Sequence, residues 1–360
     1  MLSFFPGVGC GMVRVDCAGL QRYSAALFEG VGVPATDAAT VAESLVEADL
    51  RGVASHGTTR IGIYVERLQA GVVNPRPKVS VVRETPTTVL LDGDNGLGAA
   101  IGVRAMDEAI RRATAYGTAW VSVRNSNHFG AAAFYVQRAI AARCVGLALT
   151  NAPPTMALWG GRTPFLGTNP FAMGVPAGSE RSIIVDMATS VAARGKIILA
   201  AKKGEAIPPG LAVDVEGRPT TNAQAALDGA VLPFAAHKGY GIALLIEILS
   251  GILAGATVAP HVGNLYDNPT GVQNLGHGFG AVRVEALAPY DEFAARMDAL
   301  IREVRESPRG LGVGRIYLPG EIEFELADRN RLEGVPLAPP TVKELRELGA
   351  RLGIEWPFGQ

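Results

Sequence analysis

Little in this chain is specialised for an unusual environment. Its three cysteines, Cys10, Cys17 and Cys144, cannot all pair and show no metal-ligand spacing. That excludes a disulfide framework and a zinc-ribbon centre, and it fits a reducing compartment such as the cytoplasm. No charge dominates: 33 Lys and Arg stand against 34 Asp and Glu. The chain therefore has no basic surplus for nucleic acid or an anionic membrane. No apolar run reaches the ~20 residues of a membrane span. The nearest approach, Gly241 to Ala256, is shorter and contains Glu247. It predicts a helix, and its all-round apolarity places that helix in the centre of the core. Residues 1–12 carry apolar Leu2, Phe4 and Phe5 but no basic segment, a poor secretory signal that reads as a flexible extension, with Met12 as an alternative start. There are no internal repeats.

Apolar residues are plentiful, 48% of 360 positions, so a large core spread over two domains is expected. Residues 15–72 follow helical periods. Short strands are predicted at 79–83, 87–91, 119–123, 145–150, 182–186 and 279–284, with helices at 99–115, 131–143, 290–306 and 340–354. Residues 151–178, rich in Gly, Pro, Thr and Asn, read as an ordered functional loop. Residues 203–229 are polar without a clear period, and 315–321 are expected to end the sheet region.

The densest chemistry lies in Ala54-Ser55-His56-Gly57-Thr58-Thr59-Arg60. Upstream, Thr36 and Asp37 are expected to cap a helix that stops at Gly52. Downstream, Thr58 is expected to cap a helix ending at Gly71. His56 and Arg60 then lie one turn apart near a helix N-terminus, a setting that favours an anion. Arg60 can hold a carboxylate through paired hydrogen bonds, and His56 can move a proton at the neighbouring carbon.

Other motifs are ambiguous taken singly. Strand 88–91, Gly96, Gly98, Gly102 and strand 119–123 imitate a dinucleotide-binding βαβ unit. The third glycine is one residue late, and no acidic residue ends the second strand; Arg124 and Asn125 stand there. In Asn125-Ser126-Asn127-His128-Phe129-Gly130, the side chains of Ser126 and His128 at a helix start are candidates for a phosphate or carbonyl oxygen. His237-Lys238 in a glycine-rich turn before the apolar helix suits a phosphate. Pro319-Gly320-Glu321 offers a carboxylate to a ribose.

Taken in order, these motifs resemble the malate/L-lactate dehydrogenase-like oxidoreductases. The resemblance rests on Ser55-His56-Gly57 with Arg60, Gly71, Asn74-Pro75, Asp92-Gly93 with Gly96-Leu97-Gly98, and Ser126 to Gly130. It continues through Leu166 to Pro170, Asp186 to Ser190, Ala193 to Lys196, His237 to Gly241 and Leu318 to Glu321. It implies an α/β fold: a non-Rossmann NAD(P)-binding domain with a mixed, largely antiparallel sheet (81–324) and a helical domain from both chain ends (13–80 with 325–360). It also implies a homodimer with its active site near the subunit interface, no metal, and NAD or NADP as cofactor. Ser55 and His56 match a relay serine and proton donor, Arg60 a carboxylate-binding residue, and Thr168 a substrate contact. His128, Phe129, Gly130, Ala131 and Ala132, with Asp186, Met187, Ala188, Lys196, His237, Lys238, Pro319, Gly320 and Glu321, match cofactor-binding positions. In some members the position of His128 is the catalytic base, so the two histidines compete.

The reaction implied is interconversion of a small 2-hydroxy acid and its 2-oxo acid, of the malate, lactate or sulfolactate type. The imine reductases of the family carry Asp where this chain has Lys196. That argues against the alternative, reduction of a cyclic imine 2-carboxylate, and leaves the orientation of His56 to come from elsewhere. Two readings from other classes are a metal-dependent hydrolase using His56, His128 and His237, and a non-catalytic binder of small anions.

Overall fold

The computed structural model describes residues 11–266 and 271–359; residues 1–10 of the expected extension lie outside them. The chain divides into two compact units, residues 1–76 with 321–360, and residues 77–320.

The first unit is helical. Asp16 opens helix Cys17–Glu29 by accepting the Gly19 N–H at 2.6 Å, and Leu20, Tyr23, Leu27 and Phe28 form its buried stripe. Helix Ala35–Leu50 buries Val41, Leu45 and Val46, and Gly52, at φ 77°, breaks the chain away as expected. It starts two residues earlier than a Thr36 cap implies, after Pro34. Thr36 is thus inside the first turn, where its carbonyl accepts the Thr40 hydroxyl, and does not cap. Helices Ile61–Gln69, Glu321–Glu333 and Pro339–Leu352 complete the unit. Strand Val13–Val15 pairs antiparallel with Val335–Leu337, which joins the two chain ends.

The second unit is built on a seven-stranded sheet. Its order is Ser80–Glu84, Thr88–Asp92, Thr118–Ser126, Leu275–Arg283, Cys144–Thr150, Phe171–Val175 and Ile183–Met187. Only Thr88–Asp92 and Thr118–Ser126 run parallel, crossed by helix Gly98–Tyr116; every other pairing is antiparallel. The central strand Leu275–Arg283 places His277 opposite Val123 on one side and Thr150 on the other. A second sheet of five strands uses Met156–Ala157, Pro164–Leu166, Ala212–Val213, Pro219–Thr220 and Ala230–Val231. It lies within stretches read as loop or aperiodic, because strands of two or three residues are too short to show a period. Segment 315–321, an irregular stretch and a turn leading into helix Glu321–Glu333, closes the sheet unit, which ends at Gly320.

The apolar helix is two-faced, not central. Helix His237–Glu247 passes into a π-helical turn, Ile248–Ile252. Ala243, Ile246, Glu247 and Ser250 are buried, while Ile242, Leu245, Ile252 and Leu253 stand out from the unit, Leu245 at 55% and Ile252 at 63% exposure. Among the described residues no helix is long and apolar enough to cross a membrane.

Glu247 anchors this helix to the loop beside it. Its carboxylate accepts Asn169 Nδ2 at 2.8 Å, Asn151 Nδ2 at 3.2 Å and the Ala259 N–H at 2.8 Å. Asn169 Oδ1 in turn accepts the Ala152 N–H, and Asn151 Oδ1 the Gly276 N–H. Glu247→Ala leaves three buried donors unpaired. At about 1–3 kcal/mol for each, the expected loss exceeds 3 kcal/mol. Glu247→Gln keeps an acceptor oxygen and should lose less. Thermal and denaturant unfolding of both variants checks the order.

Candidate active site

In the helical unit, the seven residues from Ala54 fold as two consecutive 3-10 turns, Ala54–His56 and Thr58–Arg60, with extended Gly57 between them. Helix Ile61–Gln69 starts only after Arg60. Thr58 therefore does not cap a helix: its hydroxyl and N–H both go to the Asp49 carboxylate, at 2.7 and 2.8 Å. Ser55 Oγ lies 3.0 Å from His56 Nδ1, and Arg60 Nε donates to the Ser55 carbonyl at 2.7 Å. These bonds place His56 and Arg60 at either end of one short turn. The His56 edge stays partly accessible, but protein surrounds most of the ring. Burial, then the Arg60 charge, pushes its pKa down to about 4.

In the sheet unit, hydrogen bonds draw five predicted segments together. The Thr168 carbonyl accepts both the N–H and the hydroxyl of Thr189, at 2.8 and 2.9 Å. The Thr189 carbonyl accepts the Phe234 N–H at 3.0 Å, just before His237 and Lys238. Asp186 Oδ2 accepts the Ala133 N–H at 2.9 Å, so this side chain holds the start of helix Ala133–Ala141 and with it the segment from His128 to Ala132. The Pro319 carbonyl accepts the Ile184 N–H at 3.1 Å, laying Pro319-Gly320 along the strand that ends in Asp186 and Met187. Glu321 is buried as the first residue of its helix.

His277 escaped the sequence reading. The strand was expected to begin at Phe279, four residues too late, whereas it begins at Leu275. His277 is fully buried, with Nδ1 2.7 Å from Thr150 Oγ1 and Nε2 2.9 Å from Ser126 Oγ. Its ring stacks on Phe129 at 4.8 Å between centroids. Burial lowers its pKa to about 3, so it is a neutral strut behind the His128 segment. Ser126, expected to meet an anion, is committed to this histidine. The usable signal was a lone His inside an otherwise apolar, glycine-rich run.

The glycines of the βαβ look-alike are filled by the protein itself. A Cβ on Gly98 would sit 2.1 Å from the Asn127 carbonyl oxygen, and one on Gly102 2.6 Å from the Tyr135 ring. The Gly98 loop is thus packing surface for the 127–128 backbone, with no room for a pyrophosphate. Two other helix starts carry exposed cations: Lys196 in helix Arg194–Lys203, and His237 and Lys238 in helix His237–Glu247. An added Cβ at Gly195 would meet nothing within 4 Å, whereas one at Gly239 would sit 2.0 Å from the Phe234 carbonyl oxygen. Exposed cations in the first turn of a helix suit an anion such as a diphosphate. Among the described residues no group of three or more His, Cys, Asp or Glu is placed to hold a metal ion, so the metal-hydrolase reading has no geometric support.

The Ser55–His56–Arg60 turn suits acid–base chemistry beside a small carboxylate. The chain belongs to the malate/L-lactate dehydrogenase family, whose sequence profile matches residues 15–346. It is 36% identical over 351 residues to a malate dehydrogenase of Pyrococcus abyssi, covering 95% of this chain and 96% of that one. It is 41% identical over 323 residues to an L-sulfolactate dehydrogenase of Methanocaldococcus jannaschii, covering 90% and 92%. The solved sulfolactate dehydrogenase of that organism superposes with a TM-score of 0.90 at 38% identity, covering 95% of this chain and 98% of the other. The fold is therefore the mixed, largely antiparallel α/β fold of this family, and the protein is a 2-hydroxy-acid dehydrogenase that uses NAD or NADP.

The glycine assignment has a direct check. Gly98→Ala should lower the melting temperature sharply or abolish folding, whereas Gly195→Ala should leave it within a few degrees of the parent. Equal melting temperatures would return the Gly98 loop to the list of ligand sites.

Proposed function

We propose that the chain interconverts a malate-, lactate- or sulfolactate-type 2-hydroxy acid and its 2-oxo acid with His56 as the proton-exchanging group. The observation that carries this is the Ser55–His56–Arg60 turn. With Nδ1 engaged by Ser55, Nε2 exchanges the proton. Arg60 holds the substrate carboxylate, which sets the C2 oxygen beside His56. A nicotinamide dinucleotide, held by the segments named below, would supply the hydride to C2 in reduction and accept it in oxidation. In reduction His56 Nε2 gives its proton to the oxygen at C2; in oxidation the neutral ring takes the proton back. Thr168 contacts the substrate. His128 to Ala132, Asp186 to Ala188, Lys196, His237-Lys238 and Pro319 to Glu321 hold the cofactor, Asp186 by bracing the helix start at Ala133.

A pKa of about 4 makes His56 a ready base in the free enzyme at neutral pH. The substrate carboxylate on Arg60 removes part of the charge that depresses it, so protonation for reduction accompanies substrate binding. We expect kcat/KM for reduction of oxaloacetate, pyruvate or 3-sulfopyruvate, tried with NADH and NADPH, to fall by about tenfold per pH unit between pH 5 and 7. Oxidation of the matching hydroxy acid should stay flat over that range. His56→Ala should cost roughly 10²–10⁴-fold in turnover while nicotinamide binding survives. Turnover within about threefold of the parent, too small a change for an acid–base group, would move the proton to His128.

The exposed stripe Ile242, Leu245, Ile252 and Leu253 supports a homodimer assembled over that helix face. Leu245→Asp should shift the scattering mass to that of one chain; an unchanged dimer would place the interface elsewhere.

A further inference from the structure

The turn that carries His56 and Arg60 is fastened to its unit at a buried carboxylate that no catalytic step above uses. Asp49, next to last in helix Ala35–Leu50, is buried, and a single oxygen, Oδ2, accepts both the Thr58 N–H and the Thr58 hydroxyl. Gly57 closes over the same group: a Cβ there would come within 1.9 Å of Asp49 Oδ1. Gly57 has φ −90° and ψ −154°, extended backbone open to any L-residue, so glycine is needed here for space and not for conformation. On either side, Gly57 N–H bonds to the Ala54 carbonyl at 3.2 Å, and the Arg60 N–H to the Gly57 carbonyl at 3.0 Å. Residues 54–60 are thus stitched to one another and clamped at 57–58 by one side chain.

This clamp is energetically unfavourable as a mere loop fastening. Burial pushes the Asp49 carboxyl up to about 7, against the pull of its two Thr58 bonds. Its place at the helix C-terminal end, where the dipole is negative, disfavours the ionised form further. A neutral side chain would hold an ordinary loop at less cost. The Ser55 hydroxyl meets the imidazole at Nδ1, and the clamp at 57–58 fixes the backbone that follows both residues.

We propose that Asp49 is a positioning residue for the proton transfer, acting through Thr58 and Gly57 to set the spacing and aim of His56 and Arg60. The proposal rests on the reading of His56 as the acid–base group. A misplacement of about 1 Å in such a site can cost on the order of 10²-fold in rate, so the clamp belongs to the rate and not only to stability.

The test uses the full-length protein with a 2-oxo acid that the enzyme reduces with NAD(P)H, and reports kcat per folded molecule, KM, NAD(P)H affinity and the D2O isotope effect on kcat. Thr58→Ser keeps both donors and should behave as the parent. Thr58→Val removes the hydroxyl alone, and Asp49→Asn weakens the clamp. Each should lower kcat about tenfold or more and raise the solvent isotope effect as proton transfer becomes limiting. NAD(P)H affinity, which depends on the other unit, should hold. If Asp49→Asn fails to fold, Thr58→Val still decides. A Thr58→Val enzyme with lower melting temperature but parental kcat and isotope effect would reduce Asp49 to a structural residue and overturn the proposal. His56→Ala with parental turnover would overturn the acid–base reading and this proposal together. His56→Ala inactive beside a fully active Thr58→Val would overturn this proposal alone.

Discussion

The Glu247 carboxylate is the constraint on which one end of the sheet unit depends. It sits where three chain segments, from residues 151, 169 and 259, meet one helix, and each brings a donor that water cannot reach. Asn169 follows Thr168, and Thr168 holds Thr189, which holds Phe234. The helix bearing Glu247 begins at His237, so the chain of bonds closes on itself. Met156, Ala157 and Leu166 anchor the segment 151–170 through buried apolar contacts. The polar network fixes the direction of its two ends, and it gives the same frame to the helix that begins at His237.

The two units solve the same problem by the same means at different scales. In the helical unit Asp49 clamps a two-turn segment through one threonine; in the sheet unit Glu247 clamps an extended loop through two asparagines. His277 adds a third buried polar strut, neutral this time, between two strands and the Phe129 ring. Chemistry of this kind demands side chains fixed to within fractions of an ångström. Buried hydrogen bonds fix direction as apolar packing cannot, because an unmade bond in a dry interior costs more than a small shift of a methyl group.

Much of this was legible in the sequence, and the parts that were not share a cause. The periodic helices and the longer strands announced themselves through spacing, and the stops at Gly52 and Gly71 through residues suited to positive φ. The motifs at 126–130, 186–190 and 237–241, ambiguous singly, became legible with 55–60 through their order along the chain. What was invisible was partnership across long sequence separations. Nothing local to Thr58 says that its hydroxyl belongs to Asp49 and not to a helix end. Nothing local to Ser126 says that it will meet His277 from 151 residues away. The apolar run at 241–256 was misplaced for a related reason: apolarity marks surface removed from water but not what removes it. The short strands between 156 and 231 have no period to read.

The packing of Gly98 against the 127–128 backbone bears on how this enzyme can change its coenzyme. In a fold whose glycine-rich loop wraps the dinucleotide, selectivity between NAD and NADP is redesigned around that loop. Here the loop is sealed by the protein's own main chain, so substitutions there disturb the architecture before they touch selectivity. The side chains of Lys196, His237 and Lys238, exposed in the first turns of two helices, can be exchanged without first dismantling the sheet.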